Sequence, residues 1–237
     1  MRIYRVKDWW YYPGLVVLGH LVVEAPTRSL ILSFLASFFL GCFSFSLNEV
    51  RDRNLPSSYH KYILLPLIPL FLLLLFLDSF RIIIILTLVF LAFVYSYPPF
   101  SLKKIPVVGT LINAIGFPLL IFLGAGKVGR DTLLLYLLYF FLSLPAQLIH
   151  EYSHQEEDKK KGILTTALLW GEKGKDYLWI FLLPVLLFLL FLPFLFPFIL
   201  LLILTLYLKK DNLISLRKWY RWENLFLGIF LLFYYRP

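Results

Sequence analysis

Residues 178–208, LWIFLLPVLLFLLFLPFLFPFILLLILTLYL, carry no charged side chain, and the reading of this stretch decides the fold. A helix needs about 20 apolar residues to cross a hydrocarbon core about 30 Å thick. The stretch is too long for one upright crossing, and Pro193 and Pro197 break its middle. It is therefore either one kinked span or two short spans turning near the prolines. Outward from it, further apolar runs occupy residues 10–23, 30–47, 62–77, 82–97, 105–125, 133–149 and 222–235. Loop charge separates the two readings. With spans at 177–191 and 194–208 the chain has nine spans, and a cytoplasmic N-terminus puts 18 of its 23 Lys and Arg inside. With a single span the split is 13 to 10. The positive-inside rule favours the hairpin, nine spans and a C-terminus outside.

Hydrophobic residues make up 60% of the chain and charged residues only 16%, too few for the charged shell of a water-soluble domain. The expectation is an all-α integral membrane protein, a single transmembrane domain over residues 1–237. Its net charge of +9 is scattered through short loops, which suits topology and anionic lipid and excludes a nucleic-acid surface. Cys42 stands alone in an apolar run, so it reads as a packing residue without a disulfide or a metal-type Cys/His pattern. Arg2, Arg5 and Lys7 precede an apolar stretch that lacks a small-residue cleavage site, so the first span is expected to be retained. A bacterial or archaeal cytoplasmic membrane is the expected location. Trp9, Trp10, Tyr11, Tyr12, Trp219, Tyr220, Tyr234 and Tyr235 read as an interfacial belt.

Two acidic segments fall on the inner side. The first is Asn48-Glu49-Val50-Arg51-Asp52-Arg53-Asn54 at the end of the second span, with Asn48 and Asp52 four apart on one helical face. The second follows the sixth span and runs from His150 through Glu151, His154, Glu157 and Asp158 to Lys159, Lys160, Lys161 and Gly162. Glu151, His154 and Asp158 share a face if the helix continues. Carboxylates brought close together repel unless a cation or proton compensates them. Mg²⁺ takes oxygen ligands and keeps substrate phosphates in its shell, so such clusters beside Lys and Arg suit a metal-bound diphosphate.

These residues resemble the UbiA superfamily of intramembrane prenyltransferases, whose members have nine helices and two aspartate-rich motifs. Asn48, Glu49 and Asp52 match the first motif, NDxxDxxxD, with Glu in place of the first Asp and Pro56 at the third acidic position. Glu151, His154 and Asp158 stand at the DxxDxxxD positions of the second, with His for an acid. Tyr95-Ser96-Tyr97-Pro98-Pro99 ahead of Lys103 and Lys104, the run from Ile105 to Gly116, and Thr165-Thr166-Ala167-Leu168-Leu169-Trp170-Gly171 resemble further family stretches.

The resemblance implies Mg²⁺-dependent transfer of an isoprenyl group from a polyprenyl diphosphate donor to a hydrophobic or aromatic acceptor, among membrane lipid. It implies metal ligands at Asn48, Glu49, Asp52, Glu151 and Asp158. Diphosphate contacts fall to Asn48, Arg53, Lys103, Lys104 and Lys159, and catalytic roles to Asp52 and Asp158. Each lysine is equally accounted for as a positive-inside charge. His20, Glu24 and Asn113 are polar groups in or near the membrane, read either as interhelical hydrogen-bonders or as cavity groups. The departures at Pro56 and His154 keep open a non-catalytic binding or scaffold protein on the same fold. A transporter fits poorly, because the charged groups sit at helix ends and no internal repeat is visible.

Overall fold

The computed structural model describes residues 3–23, 25–52, 55–160 and 162–235. Among them every regular element is helical. Four are individually long and apolar enough to cross a membrane: Thr27–Asp52, Ser79–Ser96, Val108–Ala125 and Arg130–Lys160. Of the other expected spans, the last belongs to the continuous helix Leu213–Tyr234 and the rest form shorter or interrupted helices; proline marks two of the breaks. Pro66 parts Lys61–Leu64 from Leu67–Leu74, and Pro118 parts Val108–Gly116 from Leu119–Ala125.

The uncharged stretch 178–208 folds as a hairpin. Its first arm enters as a 3-10 helix, Glu172–Leu182, which packs along Phe196–Lys209, and continues through the α-helical turn Leu183–Leu186 to the 3-10 turn Leu187–Leu190. The helical path is broken at Leu192, φ −135° and ψ 68°, immediately before Pro193. At the far ends of the two arms, Lys210 Nζ donates to Asp176 Oδ1 at 2.5 Å. The tight winding also lengthens a short arm, since a 3-10 helix rises about 2.0 Å per residue against 1.5 Å for an α-helix.

By its internal contacts the chain divides into two compact units, residues 1–101, 118–133 and 232–237, and residues 102–117 and 134–231. In the first, Pro13–Val23 and Leu119–Ala125 meet backbone to backbone. A Cβ on Gly19 would stand 1.9 Å from the Ile121 carbonyl oxygen, and one on Gly124 would stand 1.9 Å from that of Val16. Helices in lipid gain most from such close approach, because lipid tails are as apolar as their side chains. Phe43, Leu47, Val50 and Ile63 form a second packing centre there, and Cys42 is buried nearby as a small packing residue.

Two aromatic residues expected in the belt are core residues. Trp9 is 1% exposed, lies against Gly41 and donates its Nε1–H to the Tyr4 carbonyl at 2.6 Å. Tyr220, 2% exposed in the second unit, donates to the Leu142 carbonyl at 2.9 Å. Pro145, which has no N–H to give, leaves the neighbouring Phe141 carbonyl without its helical donor, one residue before the carbonyl that Tyr220 reaches. A polar tip that finds a buried acceptor lets the whole ring leave the interface.

Arg81, counted in the sequence as an outer-loop charge, is also buried. Its Nε and Nη2 donate to the carbonyls of Leu123 and Gly124 at 3.1 and 3.0 Å, at the C-terminal end of Leu119–Ala125, where a cation also complements the helix dipole. Its Nη1 pairs with Asp78. Burial pushes the Asp78 carboxyl up, but the Arg81 backbone N–H and guanidinium outweigh it and hold the group below its ordinary value.

Arg81→Ala removes a buried charged donor to three acceptors and should cost about 3 kcal/mol of stability, read as a lower unfolding midpoint in detergent micelles. Because the Asp78 pKa is depressed on folding, its contribution is present above the unfolded value of about 4 and is lost as pH falls through the lower folded value. Acid titration of the unfolding midpoint should show this loss in the native chain and not in Asp78→Asn.

Candidate functional site

The first acidic segment is the last turn of Thr27–Asp52, which continues five residues past the apolar run ending at Leu47. Glu49 is nearly buried, with Arg5 Nη1 3.6 Å from its Oε2. Asp52 is half-buried. Asn48 Oδ1 accepts from Ser96 Oγ at 3.2 Å, and the Arg51 guanidinium lies over the Tyr97 ring, 4.0 Å from its centre. The Tyr95–Pro99 stretch is thus brought to the first acidic segment. Arg53, Glu24 and Asn54 lie outside the described residues. His20 is buried, and its Nδ1 has no hydrogen-bond partner among the described residues. Asn113 is half-buried.

The second segment belongs to the second unit. Arg130–Lys160 extends eleven residues beyond Ile149, so Glu151, His154 and Asp158 do share a face. The helix stops at Gly162, φ 66°, where Ile163 N donates to the Asp158 carbonyl and Gly162 N to that of Lys159. This pair of bonds needs a left-handed residue between them, a role glycine fills without steric cost. Asp158 is half-buried and Lys159 exposed.

Glu151 is 7% exposed and is held from three elements. Its Oε1 accepts from Thr110 Oγ1 at 2.7 Å and Gln147 Nε2 at 3.3 Å, and its Oε2 accepts from Ala167 N at 3.3 Å. Thr110 and Thr166 share a hydrogen bond of 2.6 Å, and Thr166 Oγ1 accepts from Val107 N at 2.7 Å. Val107 has φ 66° and ψ −48°, and Val108 N donates to the Pro106 carbonyl at 2.7 Å, the geometry of a γ-turn. A β-branched residue with positive φ is strained, and such strain persists only where its surroundings over-determine it. The threonine bond on the Val107 amide is that restraint. Lys103 and Lys104, in the one-turn helix Leu102–Lys104, are thereby held to the Glu151 turn within one unit. Thr165 caps Thr166–Trp170 by accepting from Leu168 N, which gives the threonine pair its place.

His154 receives Arg217 Nη1 on its Nε2 at 3.1 Å and faces Glu157 Oε2 with its Nδ1 at 3.3 Å. Arginine can only donate, so Nε2 accepts and Nδ1 carries the proton. Thr110 and Arg217 were not singled out from the sequence. Thr110 is one hydroxyl in an apolar helix, and Arg217 is one of many loop cations; neither carries a local signal.

Among the described residues, no group of three or more His, Cys, Asp and Glu is placed to hold a metal ion. The donor set is nevertheless all oxygen, and Mg²⁺ is ordinarily held by one or two carboxylates with waters and substrate phosphates completing its octahedron. The residues fit an ion that arrives with a phosphorylated substrate.

The profile of the UbiA prenyltransferase family matches residues 56–233, which include the second acidic segment and leave the first outside. No curated protein matches the sequence. Among solved structures, a UbiA homologue from Archaeoglobus fulgidus superposes with a TM-score of 0.75 at 19% identity, covering 99% of this chain and 98% of that one. The same homologue bound to DMAPP and Mg²⁺ gives 0.72 at 18%, covering 98% of each. A digeranylgeranylglyceryl phosphate synthase gives 0.67 at 20%, covering 97% and 94%.

Replacing Glu151 by Gln sets an amide N–H₂ against one of its protein donors. Glu151→Gln should destabilise the chain by about 1–3 kcal/mol, measured as the unfolding midpoint in detergent with no substrate present.

Proposed function

The chain belongs to the UbiA prenyltransferase family, and from that premise we propose that it transfers an isoprenyl group from a polyprenyl diphosphate to an aromatic or lipid acceptor. The reaction is placed at the cytoplasmic face of a bacterial or archaeal membrane, in one catalytic domain of nine spans with the N-terminus inside and the C-terminus outside. The observation that carries the reading is the network that ties Lys103 and Lys104 to the Glu151 turn through Val107, Thr166 and Thr110. It holds phosphate-binding cations and an acidic segment in one rigid frame.

In this reading the bond between C1 of the allylic chain and the diphosphate oxygen breaks, the diphosphate leaves with the electron pair, and the acceptor bonds to C1 and gives up a proton, which the released diphosphate takes. Negative charge collects on the leaving diphosphate, where Lys103, Lys104, Lys159 and Arg53 offset it. Asn48, Glu49, Asp52, Glu151 and Asp158 would hold Mg²⁺, which when bound supplies electrophilic stabilisation of the leaving group. Glu151 enters with only the lone pairs its protein donors leave, so it serves chiefly to hold the turn, and Asp52 and Asp158 carry most of the burden. The apolar helices keep water from the allylic cation.

One observation favours a second reading, a diphosphate-binding protein without turnover. The position that carries an acid in the family is here a neutral imidazole held by Arg217, which changes the charge available to a metal.

The deciding experiment is diphosphate release by the full chain in detergent. It uses farnesyl or geranylgeranyl diphosphate and a panel of aromatic and lipid-phosphate acceptors, with and without Mg²⁺. Turnover should require Mg²⁺ and an acceptor, and Asp52→Ala and Asp158→Ala should each lower kcat about 100-fold or more. Mg²⁺-dependent donor binding without release would support the second reading.

A further inference from the structure

The last turn of Thr27–Asp52 presents two neighbouring faces. Asn48 and Asp52 share one, and Leu47 and Arg51 share the next, about 100° round the helix. Against the second face lies a cavity of about 550 Å³, within the range that holds one small ligand. One wall is a stripe of Ser79–Ser96, formed by Leu86, Phe90 and Phe93 and continued by Tyr97, with Ile63 and Leu67 also lining the cavity. From Leu86 to Tyr97 the helix path is about 16 Å, close to half of a hydrocarbon core about 30 Å thick. The groove is as deep as one leaflet.

Its polar end is cationic. Arg51 and His60 line the cavity, and among the described residues no carboxylate does. The Arg51 guanidinium stands over the Tyr97 ring, 4.0 Å from its centre, a cation–π contact that holds it at this end of the groove. The Arg51 Nε is buried without a hydrogen-bond acceptor among the described residues, and a guanidinium whose charge is not offset there attracts a phosphate.

We infer that this groove binds one chain of an anionic phospholipid from the surrounding bilayer, with the headgroup phosphate on Arg51 and His60. A phosphodiester carries a single negative charge, which one guanidinium offsets. A diphosphate carries more, and no acidic side chain stands in the groove to recruit a metal. The site is thus separate in chemistry from the acidic face beside it, and binding requires no divalent ion.

The test is native mass spectrometry of the full chain in detergent with EDTA, after incubation with equal amounts of phosphatidylglycerol and phosphatidylcholine bearing identical chains. Phosphatidylglycerol should be retained about fivefold over phosphatidylcholine, the preference expected of one cation near a headgroup. Arg51→Lys should keep the preference and Arg51→Gln should abolish it. Leu86→Trp fills the groove from an exposed position, and should lower retention of both lipids with the unfolding midpoint unchanged. Equal retention of the two lipids by the native chain, or an unchanged preference in Arg51→Gln, would overturn the inference. So would displacement of bound phosphatidylglycerol by farnesyl diphosphate in EDTA, which would give the groove to the donor's tail.

Discussion

Hydrocarbon offers no hydrogen bonds, so every backbone N–H and C=O within the bilayer has to find its partner inside the protein. That constraint makes every regular element among the described residues helical, and it also shows where the helices are allowed to break. Several helix ends and turns carry named side-chain partners. Arg81 takes the carbonyls at the end of Leu119–Ala125, and Tyr220 takes the Leu142 carbonyl beside Pro145. Thr166 takes the amide of Val107, and Glu151 takes that of Ala167. Each repair uses a residue whose type alone suggests surface or interface.

The repairs around Glu151 are also what organise the chemistry of the second unit. A carboxylate 7% exposed is tolerable because three donors from three elements converge on it, and the Thr110–Thr166 pair beside it holds the Val107 turn that follows Lys103 and Lys104. Structural satisfaction and presentation of charge are one arrangement there. The cost is a strained valine at residue 107, which the threonine pair holds in place.

Charge does two jobs in this chain, and side-chain surroundings separate them. Lys104 and Lys159 are exposed, consistent with both topology and phosphate binding. Arg81 and Arg217 instead end on particular acceptors, helix carbonyls in one case and an imidazole nitrogen in the other. The Arg217 contact gives the His154 departure from the family motif a structural meaning, since that position is occupied by a hydrogen-bonded neutral ring.

Class, family and the position of nearly every helical segment were legible in the sequence, because hydropathy and loop charge are local quantities that survive without folding. The turn near Pro193 was legible from the prolines, because a proline cannot continue a helix. The two acidic segments were visible as helix ends with carboxylates at helical spacing. Only the tertiary structure decided that Trp9 and Tyr220 leave the interface for the core, that Arg81 clamps a helix, and that Thr110 meets Glu151 across 41 residues of chain. Those outcomes depend on which buried acceptor lies within about 3 Å of a donor, a fact of packing that neither composition nor periodicity encodes.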